Sequence, residues 1–297
     1  MSRAERVQGC VFCLGALGAV GLSLLGRLPP AVELWAVAAA VVVFGVPHGA
    51  LDPVLARARA QWTTARWAGF WLGYAALAAL VVAIWAGAPV LFLAGFLLVS
   101  AAHFAGDPAA GAPWPVRVLH GGAPLVLPAF LHGAEVEGLF ALLAGPGAAA
   151  AAVAVLAPLS GPWLVTCLCM AVVRRRADPW GSGELLCLAL LAAVAPPLVG
   201  FAVFFCLGHS ARHVLRTAEG VGAPVPRILL QTAAPMALVA GGGAAAWLLL
   251  GDVPVDARVM QVVFVGLASL TVPHMLVVWG WLDTPAPSPS PFGREPG

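Results

Sequence analysis

The 297-residue chain contains no lysine: all fifteen of its basic residues are arginine. Without a lysine amine it cannot hold retinal as a Schiff base, so a rhodopsin-type photoreceptor is excluded. Charge of either sign is scarce, at 9% of residues, and a formal balance of +2 is too small to point to nucleic acid. The metalloprotease pattern H-E-x-x-H is missing, and so are the H-x-x-H-H boxes of membrane di-iron desaturases and hydroxylases. The six cysteines all lie in apolar runs, where a thiol behaves as a small hydrophobe, and they imply no disulfide framework. Cys10 and Cys13 form a C-x-x-C pair, but it lacks the second pair or nearby histidine that a zinc site needs, so packing in the first helix is expected.

Apolar residues are what the chain has in excess. With 61% hydrophobic residues and a mean hydropathy of +0.96, it carries more apolar surface than a soluble core can bury. The expected fold is an all-α, polytopic transmembrane helical bundle. Apolar runs fall at about 7–25, 32–48, 67–87, 89–105, 118–132, 149–173, 184–195, 198–216, 227–250 and 258–281. Those at 118–132 and 184–195 are short against the ~20 residues of a full span, which gives eight to ten crossings. The first run has a charged start but no small-x-small cleavage site, so it is expected to remain as a helix. Residues 1–283 read as one transmembrane domain, and the Pro- and Ser-rich tail 284–297 as disordered, with no soluble domain.

The stretch 184–216 decides the topology. As one helix it would span ~50 Å against a hydrocarbon core of ~30 Å, and Pro196-Pro197 would sit in its interior. Two helices joined at the double proline are predicted. With ten spans and the N-terminus inside, the inner loops collect Arg3, Arg6, Arg57, Arg59, Arg66, Arg117, Arg174 to Arg176, Arg216 and Arg227. The outer loops keep Arg27, Arg258 and the acids Glu135, Glu137, Asp252 and Asp256. This is the asymmetry of the positive-inside rule, and it places both ends in the cytoplasm.

The same threading brings six of the seven histidines to the inner half of the bilayer, leaving out only His132. His209 and His213, in CLGHSARHVLR, stand four residues apart and share a helix face. His48 in VPHGALDP and His103 in SAAHFAGDP each have an aspartate four residues on, Asp52 and Asp107, placed to hold the second nitrogen of the ring if the helix continues. Polar rings at bilayer depth are expensive, so four of them from three helices on one side point to a metal site. Imidazoles without thiolate suit Fe(II), Cu or Zn with positions open for substrate or oxygen. His274, in TVPHMLVVW, is an outer-shell or pocket-closing candidate, with packing the alternative, and His120 is second-rank beside it. His132 reads as interfacial. Arg212 is expected to turn away from the paired histidines. Phe44, Phe104, Phe201, Phe204, Phe205, Trp279 and Trp281 lie near enough in sequence to line a slot for a long conjugated substrate.

The four motifs VPHGALDP, SAAHFAGDP, CLGHSARHVLR and TVPHMLVVW, in that order over about residues 44–281, resemble the Brp/Blh family of membrane beta-carotene oxygenases. The resemblance implies oxygen-dependent cleavage of beta-carotene at its central double bond to two all-trans-retinal molecules. It implies Fe(2+) held by His48, His103, His209 and His213, a multi-pass place in the cell membrane, and retinal hand-off to a rhodopsin. Asp52, Asp107, His274, Phe104 and Phe205 are the expected outer-shell or pocket residues. The motifs depart from the family pattern at Gly208, where an aromatic is expected before His209, and at Gly106, a displaced glycine after Phe104. A carotenoid or retinal carrier and a bis-histidine haem protein for electron transfer are the competing readings.

Overall fold

The computed structural model describes residues 2–59, 62–109 and 111–282, and every described element is helical. The expected disordered tail 284–297 lies outside the described residues. The helices are α1 (Arg3–Leu25), α2 (Pro30–Ala58), α3 (Thr64–Gly87), α4 (Pro89–Phe104), α5 (Trp114–Val126), α6 (Pro128–Ala144), α7 (Pro146–Arg174), α8 (Pro179–Val194), α9 (Pro197–Val221), α10 (Ala233–Leu249) and α11 (Val255–Gly280). Six of them, α1, α2, α3, α7, α9 and α11, are long and apolar enough to cross a membrane, and the bent pair α5–α6 makes a seventh if it is one span. The helices α4, α8 and α10 are shorter apolar helices. Each apolar run of the sequence thus has its helix.

Proline sets most of the boundaries. Seven of these eleven helices begin with proline at the first or second position, where the missing N–H has no intrahelical partner to lose. Between α8 and α9, Ala195 and Pro196 take extended backbone angles, ψ 154° and 138°, so the double proline does break the stretch into two helices. Pro128 bends α5 against α6 by 44°. The run predicted at 118–132 is therefore part of a longer, kinked element that continues to Ala144. This carries Glu135 and Glu137 into a helix rather than a loop. Glu135 still meets another residue assigned to the outer side, Arg27, at 2.8 Å.

The bundle is built around α8 and α9. Leu188, Ala189, Leu191 and Phe204 are almost completely buried, against Phe12 and Ala16 of α1 and Leu143 of α6. At the other extreme, α3 and α10 contain no buried residue, as suits helices that face lipid.

Two close approaches depend on glycine. Gly45 of α2 lies so near the Phe205 ring that a Cβ there would overlap it, and Gly121 of α5 lies against the backbone of Ala101 and Ala105 in α4. The second contact sets the position of α4 two residues before His103. Gly121→Ala should force α5 away from α4 and cost about 1–3 kcal/mol, as overpacking does. The check is thermal unfolding of the purified protein in detergent, where an unchanged midpoint would show that this approach is not tight.

Candidate metal centre

The histidines are delivered by local irregularities in otherwise regular helices. In α2, Pro47 cannot donate to the carbonyl of Val43 and its ring crowds that carbonyl. The chain responds with a π-helical turn over Val41–Gly45 followed by a 3-10 turn over Val46–Leu51. In that tightened turn the Nδ1 of His48 lies 2.6 Å from the carbonyl oxygen of Gly45 and 3.0 Å from Oγ of Ser210. In α9 a second π-helical stretch, Phe204–Ser210, contains His209. Such widened turns recur at functional sites because they re-aim side chains that a regular helix would bury elsewhere.

Five imidazoles meet where α2, α4, α9 and α11 come together. One nitrogen from each of His48, His103 and His209 lies within 4.8 Å of the others. His103 and His209 have ring centroids 4.4 Å apart, and His48 lies 4.9 Å from His209. His213 is 5.5 Å from His48 and 6.5 Å from His209, with its ring nearly parallel to the latter. His274 is 4.9 Å from His103, 5.2 Å from His48 and 5.1 Å from His213. Five of the six histidines that the threading expected on one side thus lie close together in space. His132 stands apart, bonding the carbonyl of Val194 at 3.0 Å. His120, buried in α5, packs on Phe204 and stays outside the group.

The aspartates hold rings other than those their spacing suggested. Asp107 does not serve His103; its carboxylate takes the Nδ1 of His209 at 2.9 and 3.1 Å. Asp52 does not serve His48; it takes the Nδ1 of His274 at 2.7 Å and the hydroxyl of Tyr74 at 3.1 Å. The reason is that α4 ends at Phe104, so Asp107 is carried off the helix, while the 3-10 turn changes the angular step between His48 and Asp52. Both carboxylates nonetheless do what metal-bound histidines require of a neighbour.

These partners settle the tautomers. A carboxylate and a backbone carbonyl can only accept, so His209, His274 and His48 carry hydrogen on Nδ1, which leaves Nε2 as the nitrogen that a metal would take. The Nε2 atoms of His103, His209, His213 and His274 are buried with no hydrogen-bond partner. Burying an unpaired polar atom costs ~1–3 kcal/mol, and several together in one spot fit a cation that would use the lone pairs. Imidazole nitrogen without thiolate suits a divalent transition metal.

Beneath the ring, the loop 106–108 is held by arginine. Arg212, buried as a charge, donates to Oε1 of Gln8 at 2.8 Å, to Glu184 at 2.8 Å and to the Asp107 carbonyl at 3.2 Å. Arg216 donates to the carbonyls of Gly106 and Asp107, at 2.9 and 2.8 Å, and to Glu5. Arg212 does turn away from the histidines, as its position between them required. Burial pushes the Asp107 carboxyl up, but His209, with a smaller contribution from Arg212, more than offsets this and holds it below the usual carboxylate range.

The ring opens into an apolar cavity of about 920 Å³, walled by α3, α4, α10 and α11 and lined next to the histidines by Tyr74, Ser100, Phe104 and Phe205. Phe205 stacks within 15° of the His209 ring and Phe104 meets that ring edge-on at 4.9 Å. Phe201 lines the cavity as expected. Phe204 is instead core, and Phe44 and Trp279 are largely exposed and face away from it. The side chain of Trp281 lies outside the described residues. At Gly208 a Cβ would sit 3.3 Å from Phe12, so a ring from α1 occupies the space beside this departure from the motif. Tyr74, Ser210, Gln8 and Glu184 were not foreseen. Tyr74, the only tyrosine of the chain, was the one with a visible signal, a lone hydroxyl in an apolar helix.

Comparison with known proteins converges on one family. The profile of the family described as Beta-carotene 15,15'-dioxygenase matches residues 39–283. A Beta-carotene 15,15'-dioxygenase of an uncultured marine bacterium, 66A03, is 32% identical over 257 residues, covering 82% of this chain and 92% of its own. A Probable beta-carotene 15,15'-dioxygenase Blh of Halobacterium salinarum is 28% identical, covering 92% of this chain and 89% of its own. No solved structure matches. The histidine ring, its apolar cavity and these matches together place the chain in the Brp/Blh family of beta-carotene 15,15'-dioxygenases.

Proposed function

We propose that this protein cleaves beta-carotene with dioxygen at the central double bond, giving two molecules of all-trans-retinal, on Fe(2+) held by His48, His103, His209 and His213. The observation that carries this reading is a cluster of partnerless imidazole nitrogens beside a large apolar cavity, which His48, His103 and His274 line directly. The volume of the cavity is at the upper end of the ~300–1,000 Å³ typical of small-molecule sites, as a forty-carbon polyene requires. Bound there, the iron would supply the dioxygen chemistry.

The residues of the chain have four tasks around it. The carbonyl of Gly45 and the carboxylate of Asp107 hold Nδ1–H of His48 and His209, so that both rings present their lone pairs to the same point. Arg212 and Arg216 hold the carbonyls of the 106–108 loop and thereby keep Asp107 in place. Phe104, Phe201 and Phe205 offer ring faces and edges to a conjugated chain and to positive charge developing on it. The apolar walls keep water from the reacting carbons. No side chain is placed as a general acid or base, and scission of a carbon–carbon double bond into two carbonyls needs none.

The cavity lies against α3 and α10, which bury nothing, so a hydrophobic substrate dissolved in the bilayer would reach it sideways. A plasma-membrane location and hand-off of retinal to a rhodopsin complete the proposal. A bis-histidine haem would need a flat, porphyrin-sized space between its two axial imidazoles, and here further imidazoles, 4.4 to 5.2 Å apart between ring centres, occupy that space.

Expression under air in bacteria that accumulate beta-carotene tests the reaction through extracted pigments. Two retinals should appear per carotene lost. His209→Ala and His213→Ala should abolish turnover and bound iron, whereas His132→Ala should change neither; an active His209 variant would sink the assignment. Intact carotene beside well-folded, iron-loaded protein would favour a carrier, and a Soret band would favour haem.

Asp107→Ala should weaken iron binding ~10–100-fold, the usual effect of removing the partner of a ligating histidine. Metal titration of the chelator-stripped protein measures it. An unchanged dissociation constant would mean that Asp107 does not orient His209.

A further inference from the structure

The geometry points to His274 as a fifth imidazole of the metal centre, a ligand through Nε2, with Asp52 and Tyr74 as the residues that position it. This rests on the metal-centre reading above and extends it to a helix, α11, from which the four-histidine set takes nothing.

Three observations carry the assignment. The His274 ring is 2% exposed and its Nε2 has no hydrogen-bond partner, although the ring is packed among other imidazoles 4.9 to 5.2 Å away. Relative to His213, which comes no closer than 6.5 Å to His209, it sits at least as near the His48–His103 side of the group. Its other nitrogen is engaged by Asp52 at 2.7 Å, an acceptor-only partner that is itself 1% exposed. A buried carboxylate spent on orienting a ring is the arrangement that accompanies metal-bound histidine, and His274 has it as fully as His209 does.

The carboxylate has its own support. Tyr74, from α3, donates its hydroxyl to the second oxygen of Asp52 and lies 3.3 Å from the carbonyl of Leu270, one turn before His274. A packing histidine would be satisfied by one backbone carbonyl on a neighbouring helix, as His132 is by Val194. A buried aspartate and the only tyrosine of the chain would then be a large outlay for nothing.

The test uses the full chain in detergent, stripped of metal, with Co(II) as the probe because its ligand-field bands report coordination directly. The wild type should bind Co(II). In His274→Ala the affinity should fall at least tenfold and the bands should shift, and in His274→Gly added imidazole should restore both. Tyr74→Phe should lower affinity by less. His120→Ala, which removes a buried histidine outside the ring, should leave the spectrum unchanged. If His274→Ala fails to fold, His274→Gln, which keeps the volume but offers no imidazole, takes its place with the same expectation. A folded His274 variant with wild-type affinity and spectrum, or a His274→Gly variant that imidazole does not restore, overturns the inference while leaving the four-histidine reading standing. A wild type that binds neither Co(II) nor Fe(II) overturns both.

Discussion

The structure depends on the expense of placing imidazoles inside an apolar bundle. Each buried ring brings two polar nitrogens, and lipid-facing helices offer neither water nor spare backbone groups to satisfy them. One nitrogen of each of three rings is met by protein: Gly45 for His48, Asp107 for His209 and Asp52 for His274. The Nε2 atoms of His209 and His274 are left buried without a partner, as are those of His103 and His213, an arrangement that a shared cation would relieve. Much of the remaining polar chemistry follows from this. The two aspartates are buried charges, so they bring in arginine and tyrosine, and buried Arg212 in turn brings in Glu184 and Gln8.

Helix irregularity is what allows so many ligands to share a point. A straight α-helix presents a side chain to the same face every three or four residues, which supplies a pair such as His209 and His213 and no more. The π and 3-10 turns of α2 and the π turn of α9 change the angular step locally, and in α2 the cause is Pro47. Glycine does the complementary work. Gly45 admits Phe205 to the wall of the cavity, and Gly121 lets α5 press on α4 beside His103. Small residues at such contacts are the usual means by which membrane helices approach closely.

The division between a polar ring and an apolar chamber also orders the molecule from inside to outside. The arginine network around Asp107 lies apart from the cavity, whose lining is mostly hydrocarbon and aromatic, with Asp52 as its one carboxylate. The histidine group and the apolar chamber therefore meet at one boundary.

Class, helix order and the histidine set were legible in the chain because each depends on near neighbours. Apolar runs set the helices, the double proline at 196–197 set the break, and i, i+4 spacing paired His209 with His213. What the spacing could not decide was which carboxylate serves which ring. Asp107 and His209 are 102 residues apart and Asp52 and His274 are 222 apart, so their pairing depends on how α2, α4, α9 and α11 pack. The local rule assigned each aspartate to the histidine four residues before it. It failed because a helix end at Phe104 and a 3-10 turn at His48 altered the angle that the rule assumes. By itself the sequence determined an apolar helical bundle and the histidines that gather within it. Only the tertiary structure decided how they are oriented, because orientation comes from hydrogen bonds between helices, and these have no period along the chain.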